Sequence, residues 1–513
     1  MDLPSSENSH SSIGIPPGRR RAGKSRSRTG CRTCRARRLK CDEAPGACQR
    51  CTSTGRVCDG YDVQRLPRPP RRKIATAPRI PALVPTGFRF ATTSDENRCF
   101  SYFQHRSISH LVASFDDPLW EKLVLQMSYN EPAVYHAIVA LGSIHQDLEQ
   151  HGLPLPGQTP NSTWSRFATE QSLRSSSLLT QRRSSQDPAL RQVILVCCLL
   201  FTVTELLCAR PDTASVHLAG GLRILRELKA QRCVHSEQST LATYLHLQGQ
   251  SLFLASEGPI LRIDYEMIYE WAYENYISGF TTFSEVQRAF GPVFNASCGF
   301  HVRFWKQQQA INYTEQTYEA SLVPLRVLSC LNRFLQELEV FLLTAPPQAL
   351  GEKERRGAQL MKVICHGQIV SVKSCLLRSN GLPLESLMED YVNLQRMLDE
   401  TLTQVPCRPL ISLRAGLTPV FFLLAQCPDY EIRWWAIDGL QTWPHCGGFF
   451  NSRQMAQMVL EGMKIELRAL RETHPQGMTG KVSFVRGADG SSFARMLYSR
   501  GGGECVRWLR LDG

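Results

Sequence analysis

The sequence predicts an all-α protein in which a small metal-organised module stands ahead of a large helical body, and three observations carry that prediction. From about Ser94 onward, apolar residues recur at helical spacing behind Asp-Pro and Glu-Pro start signals. One stretch, QDPALRQVILVCCLLFTVTELL, is apolar nearly all round, as a central buried helix would be. Six cysteines crowd into residues 31–58 with no histidine among them. At 513 residues and 42% apolar content, the chain has material for two to four domains and a sizeable core.

The elements follow in order. Residues 1–29 are rich in Ser, Gly and Arg and are expected to form a disordered basic arm, with RRRAGKSRSR as a nuclear-import patch. Residues 30–60 hold the cysteine block. Residues 61–93 form a linker in which Pro67, Pro69, Pro70, Pro78, Pro81 and Pro85 exclude a helix and favour a stiff, extended chain. No apolar heptad follows the cysteines, so no coiled coil is expected there. Residues 94–475 read as helices. Asp117 and Pro118 open one. Pro132 opens the next, with Val134, Ile138, Leu141, Ile144 and Leu148 on one face until Gly152 stops it, and Asp187 and Pro188 open the apolar one. SVHLAGGLRILRELKA, VPLRVLSCLNRFLQELEVFLL and EIRWWAIDGL continue the pattern. Residues 476–513 contain eight glycines and little helical periodicity, and are expected to be poorly ordered.

Charge placement separates the regions further. The formal net charge is +13, and residues 1–75 hold 18 Lys/Arg against 6 Asp/Glu, leaving +1 for the other 438 residues. A positive block of this kind is the footprint of a polyanion partner, nucleic acid foremost. The N-terminus has no apolar core behind its basic residues, so it is not read as a secretory signal, and the apolar run Val193–Val203 is short for a membrane span. No membrane partner is expected. A reducing compartment directs the cysteines toward metal or core packing rather than disulfides.

The six cysteines are Cys31, Cys34, Cys41, Cys48, Cys51 and Cys58; adding 17 to each of the first three gives the last three. The block is thus a duplication of Cys-x2-Cys-x6-Cys, whose copies should pack about a pseudo-twofold axis. A structural zinc takes four thiolate or imidazole ligands, so two zincs need eight places and six thiolates fill them only if two bridge. The symmetric bridging pair is Cys31 and Cys48. One zinc then takes Cys31, Cys34, Cys41 and Cys48, and the other Cys31, Cys48, Cys51 and Cys58. A segment of about thirty residues has too little core to fold alone, so metal binding should supply most of its folding free energy. The copies differ between their second and third cysteines, RARRLK in the first and TSTGRV in the second. A short helix starting near Cys34 should project Arg35, Arg37, Arg38 and Lys40 toward DNA, with Leu39 facing inward. Arginine forks suit both phosphates and the O6/N7 edge of guanine.

With all six spacings matching, the block resembles the Zn(II)2Cys6 binuclear cluster of fungal transcription factors, and Pro45 stands in the joining loop, where that family usually has proline. The resemblance implies a first helix whose C-terminal end enters the major groove at a CGG triplet, with the first and fourth cysteines bridging. By position, Arg38 and Arg37 fall where the family reads bases, Arg38 replacing the lysine of many members, and Arg35 and Lys40 fall near phosphates. The body resembles the family's helical regulatory region over residues 95–465 in EPAVYHAIVALGSIH, HLAGGLRIL and FFLLAQCPDYEIRWWAI.

The remaining thirteen cysteines lack Cys-x2-Cys spacing and read as core thiols, while the pairs Cys365–His366 and His445–Cys446 read as structural or surface residues. No Gly-x-Ser-x-Gly, His-Glu-x-x-His or strand-borne Gly-x-Gly-x-x-Gly is present, and no enzymatic activity is expected. The resulting expectation is a nuclear, sequence-specific regulator of RNA polymerase II transcription that holds two Zn2+ and binds double-stranded DNA. Co-regulators, a second copy or a small-molecule effector are candidate partners for its helical body. The competing expectation is a zinc-containing nuclear interaction protein that binds nucleic acid without sequence preference.

Overall fold

The computed structural model describes residues 30–61 and 90–512, apart from 159, 188, 231–237, 252–278, 310–317, 347–349, 406–407, 415, 475–481, 488 and 501–502. The expected basic arm and almost all of the Pro-rich linker lie outside the described residues. The chain divides into two compact units, 1–79 and 80–513.

In the first unit two single-turn helices, α1 (Arg32–Ala36) and α2 (Gln49–Thr52), each start behind a cysteine. Its core is Cys31, Cys34, Cys41, Cys48, Cys51 and Tyr61, with Cys58 packed against it. One aromatic ring and six thiols leave little apolar surface to hold thirty residues together, which makes the sulfur cluster the organising element.

The second unit is helical and contains two apolar cores. The first begins with α3 (Ser94–Tyr102), whose capping box joins Thr93 and Glu96. Its chain runs on through a π turn at Phe103–Ser107 into Ile108–Leu111. Then come α4 (Pro132–His151), α5 (Thr163–Gln181), α6 (Leu190–Leu207), α7 (Pro211–Ala230) and α8 (Gln238–Ser251). Pro132 opens α4 and Gly152, at φ +83°, ends it. A Cβ on Gly142 would lie 2.4 Å from the Cys99 carbonyl oxygen, so glycine permits the close approach of α3 to α4. The Asp187 carboxylate accepts from the Ala189 N–H, just ahead of α6. Both α6 and the later helix Glu352–Ser379 are long and apolar enough to cross a membrane by length and composition alone, and both are mostly buried inside the fold. They are core helices of this unit, and α6 coincides with the apolar stretch that the sequence reads as a central buried helix.

The second core gathers α9 (Phe283–Gln309), α10 (Tyr318–Thr344), α11 (Glu352–Ser379), α12 (Met388–Gln404), α13 (Thr418–Leu424), α14 (Tyr430–Thr442) and α15 (Ser452–Thr473). A two-residue hairpin, β1 (Cys446–Gly447) and β2 (Phe450–Asn451), joins the two cores. Cys446 and Phe449 sit in the first core and Phe450 in the second.

The tail corrects an expectation. Rather than lacking order, it forms an antiparallel sheet of β3 (Val482–Arg486), β4 (Ser492–Arg500) and β5 (Gly503–Arg510) in the order β3–β4–β5. Val482, Ala494, Met496 and Leu509 are buried on the side facing α14, where Trp434 Nε1 lies 3.2 Å from Met496 Sδ and Arg507 pairs with buried Asp438 at 2.7 Å. Gly487, Gly490 and Gly503 lie at the turns or strand ends, and Gly490 takes φ +81°. The glycines therefore mark hairpin geometry rather than a missing fold.

The body also buries histidines and thiols among its helices. His445 bonds Thr418 Oγ1 at 2.8 Å and the Trp443 carbonyl at 2.7 Å, and burial lowers its pKa to about 4. Cys365 is fully buried, and burial drives its thiol well above the ordinary range.

Candidate metal centre and nucleic-acid interface

The site grows from the repeat. Cys31 and Cys48 sit at the N-caps of α1 and α2, and their sulfurs accept from the N–H groups of Cys34 and Cys51, both at 3.3 Å. Several backbone bonds then repeat at the 17-residue step. Leu39 N–H donates to the Cys34 carbonyl and Arg56 N–H to that of Cys51, each at 3.0 Å. Left-handed residues recur at the same step: Arg38 at φ 58° matches Gly55 at 64°, and Glu43 at 57° matches Gly60 at 71°. One copy meets this demand with glycine, while the other holds side chains in a conformation that costs about 1 kcal/mol or more each.

The halves also close each other. Asp42, following Cys41, accepts from the Gln49 and Arg50 N–H groups at 2.9 and 3.1 Å, covering the start of α2. Those bonds, Gln49's first, hold its carboxyl below the usual range. Asp59, following Cys58, accepts from Thr33 Oγ1 at 2.8 Å at the start of α1, and the Gly60 carbonyl accepts from Arg32 N–H at 2.8 Å. Tyr61 Oη donates to the Ala44 carbonyl at 2.6 Å. Asp42, Asp59, Thr33 and Tyr61 escaped the sequence reading. Carrying the 17-residue count one position past the third cysteine of each copy would have paired the two aspartates.

The sulfurs fall into two tetrads, Cys31–Cys34–Cys41–Cys48 and Cys31–Cys48–Cys51–Cys58; within each, all four lie within 4.8 Å of one another. Cys31 and Cys48, 3.6 Å apart, belong to both; Cys34 lies 3.6 Å from Cys48, and Cys31 lies 3.8 Å from Cys51. Tetrahedral zinc with Zn–S bonds of about 2.3 Å places its sulfurs about 3.8 Å apart, so the donor set fits that ion. Burial raises the thiol pKa values of Cys31, Cys34 and Cys48, as for sulfurs that ionise only against a cation. For Cys41 and Cys58 burial acts in the same direction but is outweighed. N–H donors from Cys31 and Glu43, and from Cys48 and Gly60, lower their pKa values.

The four sequence-predicted cations all lie on the first copy. Arg35 and Arg37 are half-buried, and Arg38 and Lys40 are exposed. α1 begins at Arg32, two residues earlier than expected, and ends before Arg37, so Arg38 and Lys40 project from the turn that follows. Leu39, expected to face inward, is 43% exposed; the left-handed turn at Arg38 rotates it out of a core that sulfur already fills.

A third group of donor atoms, His110, His145 and Glu149, also lies within 4.8 Å. The Leu410 N–H donates to His110 Nδ1 at 3.1 Å, so that ring carries its proton on Nε2 and is not presented as a ligand toward Glu149. Ser107, His145, His110 and Leu410 instead form a buried strut.

Fold and site together define a class: a cysteine-only module suited to two metal ions, with most of its cations on one copy, followed in the same chain by a helical body. Residues 29–68 match the fungal Zn(2)-Cys(6) binuclear cluster domain, and residues 98–248 match the fungal specific transcription factor domain. The chain thus carries stretches that match a binuclear zinc cluster domain and a fungal transcription factor domain, and its six cysteines suit a pair of zinc ions. It is similar to the aspercryptin biosynthesis cluster-specific transcription regulator atnN of Emericella nidulans, with 32% identity over 270 residues, 47% of this chain and 40% of that protein. It is also similar to the transcription regulator lscL of Purpureocillium lilacinum, with 29% identity over 206 residues, 38% of this chain and 48% of that protein. White-opaque regulator 2 of Candida albicans is 48% identical over 56 residues, 11% of this chain and 12% of that protein. The matched stretches thus span less than half of each relative. No solved structure matches the chain.

Proposed function

We propose that the protein is a nuclear, sequence-specific regulator of RNA polymerase II transcription whose zinc cluster docks in the major groove of double-stranded DNA at CGG-type half-sites. One zinc is held by Cys31, Cys34, Cys41 and Cys48 and the other by Cys31, Cys48, Cys51 and Cys58. The ions carry no chemistry beyond fixing the backbone: they lock α1 and the turn after it, so that Arg38 and Arg37 face base edges while Arg35 and Lys40 face phosphates. The helical body is the regulatory part, available to a co-regulator, a second copy or an effector.

The observation that carries this reading is asymmetry on a symmetric frame. Two copies share sulfur geometry and turns, yet the six residues between second and third cysteines hold four cations in one copy and one in the other. A module serving only protein contacts has no reason to concentrate its cations in this interval of one copy. Selection of bound duplexes from a random pool by the zinc-loaded full chain tests it. The expected outcome is enrichment of CGG triplets; binding without enrichment supports the nonspecific interaction protein instead.

A further inference from the structure

Arg37 and Thr54 are separated by the same 17 residues that relate the cysteines. They also touch: Arg37 Nη1 donates to Thr54 Oγ1 at 3.2 Å. Equivalent positions of two copies meet only on the axis that relates them. The Cys31–Cys48 sulfur pair, at 3.6 Å, lies on it too. The axis of the module therefore leaves the metal cluster between Cys31 and Cys48 and emerges between Arg37 and Thr54. Thr54 directs its own hydroxyl proton toward the carbonyls of Arg50 and Cys51, at 2.9 and 3.0 Å, which turns the oxygen's lone pairs to Arg37. A guanidinium offers five N–H donors in a rigid plane, so holding one fixes where the others point. The neighbouring Arg38 is placed differently, by its left-handed backbone and away from the axis; its equivalent in the second copy, Gly55, has no side chain.

We infer that Thr54 is a positioning residue for Arg37: the second copy, with Thr54 where the first has Arg37, supplies the acceptor that orients the axial guanidinium of the first. Two adjacent arginines are thereby divided in role. Arg37 arrives on DNA already oriented, whereas Arg38 is aimed by its backbone and finds its final rotamer there. The inference rests on the DNA-binding reading above and adds a residue that its motif does not include.

The test uses the zinc-loaded full chain, the duplex enriched from the random pool and a scrambled duplex of equal length. Thr54→Val keeps the shape and removes the acceptor; Thr54→Ser keeps the acceptor. Thr54→Val should weaken binding to the enriched duplex about threefold to tenfold, the scale set by freezing one long side chain, and weaken binding to the scrambled duplex less. Thr54→Ser should bind as the wild type does, and zinc content should stay at two. On an Arg37→Ala background Thr54→Val should have no further effect, a result that general damage to the scaffold does not give. An undiminished effect on that background, or wild-type binding by Thr54→Val while Arg37→Ala binds weakly, overturns the inference. Should Thr54→Val lose zinc, Thr54→Ala takes its place; zinc loss by both makes Thr54 a scaffold residue and also overturns it. If the wild type itself enriches no sequence, the DNA-binding reading fails first and this inference falls with it.

Discussion

The N-terminal module and the helical body solve the same problem with opposite chemistry. In the module, five of six thiols are buried and close to one another, and among the described residues the only buried ring is Tyr61. In the body, two broad apolar cores enclose scattered thiols, and His145, His301 and His445 lie buried with hydrogen-bonded partners. Order in the first depends on a cation that makes thiols ionise, and in the second on apolar surface leaving water. The contrast teaches that a short segment can hold a rigid surface without a core, provided its ligands are doubled and shared.

The largest expected difference is the response to metal removal. Structural zinc in small modules supplies about 10–16 kcal/mol of binding free energy that is also folding free energy. A strong chelator should therefore abolish duplex binding and leave the thermal transition of the body in place; a body that melts with the module would break the comparison. Native mass spectrometry sharpens it. Cys31→Ala and Cys48→Ala should each disturb both ions, whereas Cys34→Ala and Cys51→Ala should each disturb one.

Acid should act on the body by a different route. Burial lowers the pKa of His301 and His445 to about 4 and that of His246 to about 3. Their folded values lie below the unfolded value of about 6.5, so the unfolded chain binds more protons as pH falls. Stability present above pH 6.5 should be lost progressively toward pH 4, on the order of 3 kcal/mol for a histidine such as His445. Urea midpoints measured across that window should fall with pH, and His445→Gln should flatten the slope. A pH-independent midpoint would contradict the buried neutral assignment.

Two smaller effects compare the copies within the module. Arg38→Ala should cost about 1–3 kcal/mol on the enriched duplex and much less on a scrambled one, measured by competition binding. Gly55→Ala should destabilise the module by about 1 kcal/mol through backbone strain alone, because nothing lies within 4 Å of the added Cβ. It should lower the chelator concentration at which zinc leaves without altering sequence preference.

How far the sequence could be read follows the same divide. Cysteine spacing is a count, and counts survive folding, so the shared sulfurs of Cys31 and Cys48 and the twofold frame were legible before any coordinates. The outward placement of Leu39 was not, because it depends on the left-handed turn at Arg38, a conformation that an arginine does not advertise. Pro132 and Gly152 bounded α4 correctly since both act locally on the backbone. The β3–β5 sheet stayed hidden because Phe493 and Met496 place apolar groups on both faces of β4, blurring alternation, and because its glycines read as looseness when they serve as turns.

The exchanged carboxylates of Asp42 and Asp59 have a consequence for ancestry. Each copy caps its own helix with a cysteine yet lends a carboxylate to the start of the other's, so a single ancestral copy left alone would have lacked part of that support. The module is thus best understood as a fused pair, in which linkage let one member carry fewer cations while remaining a support for its twin.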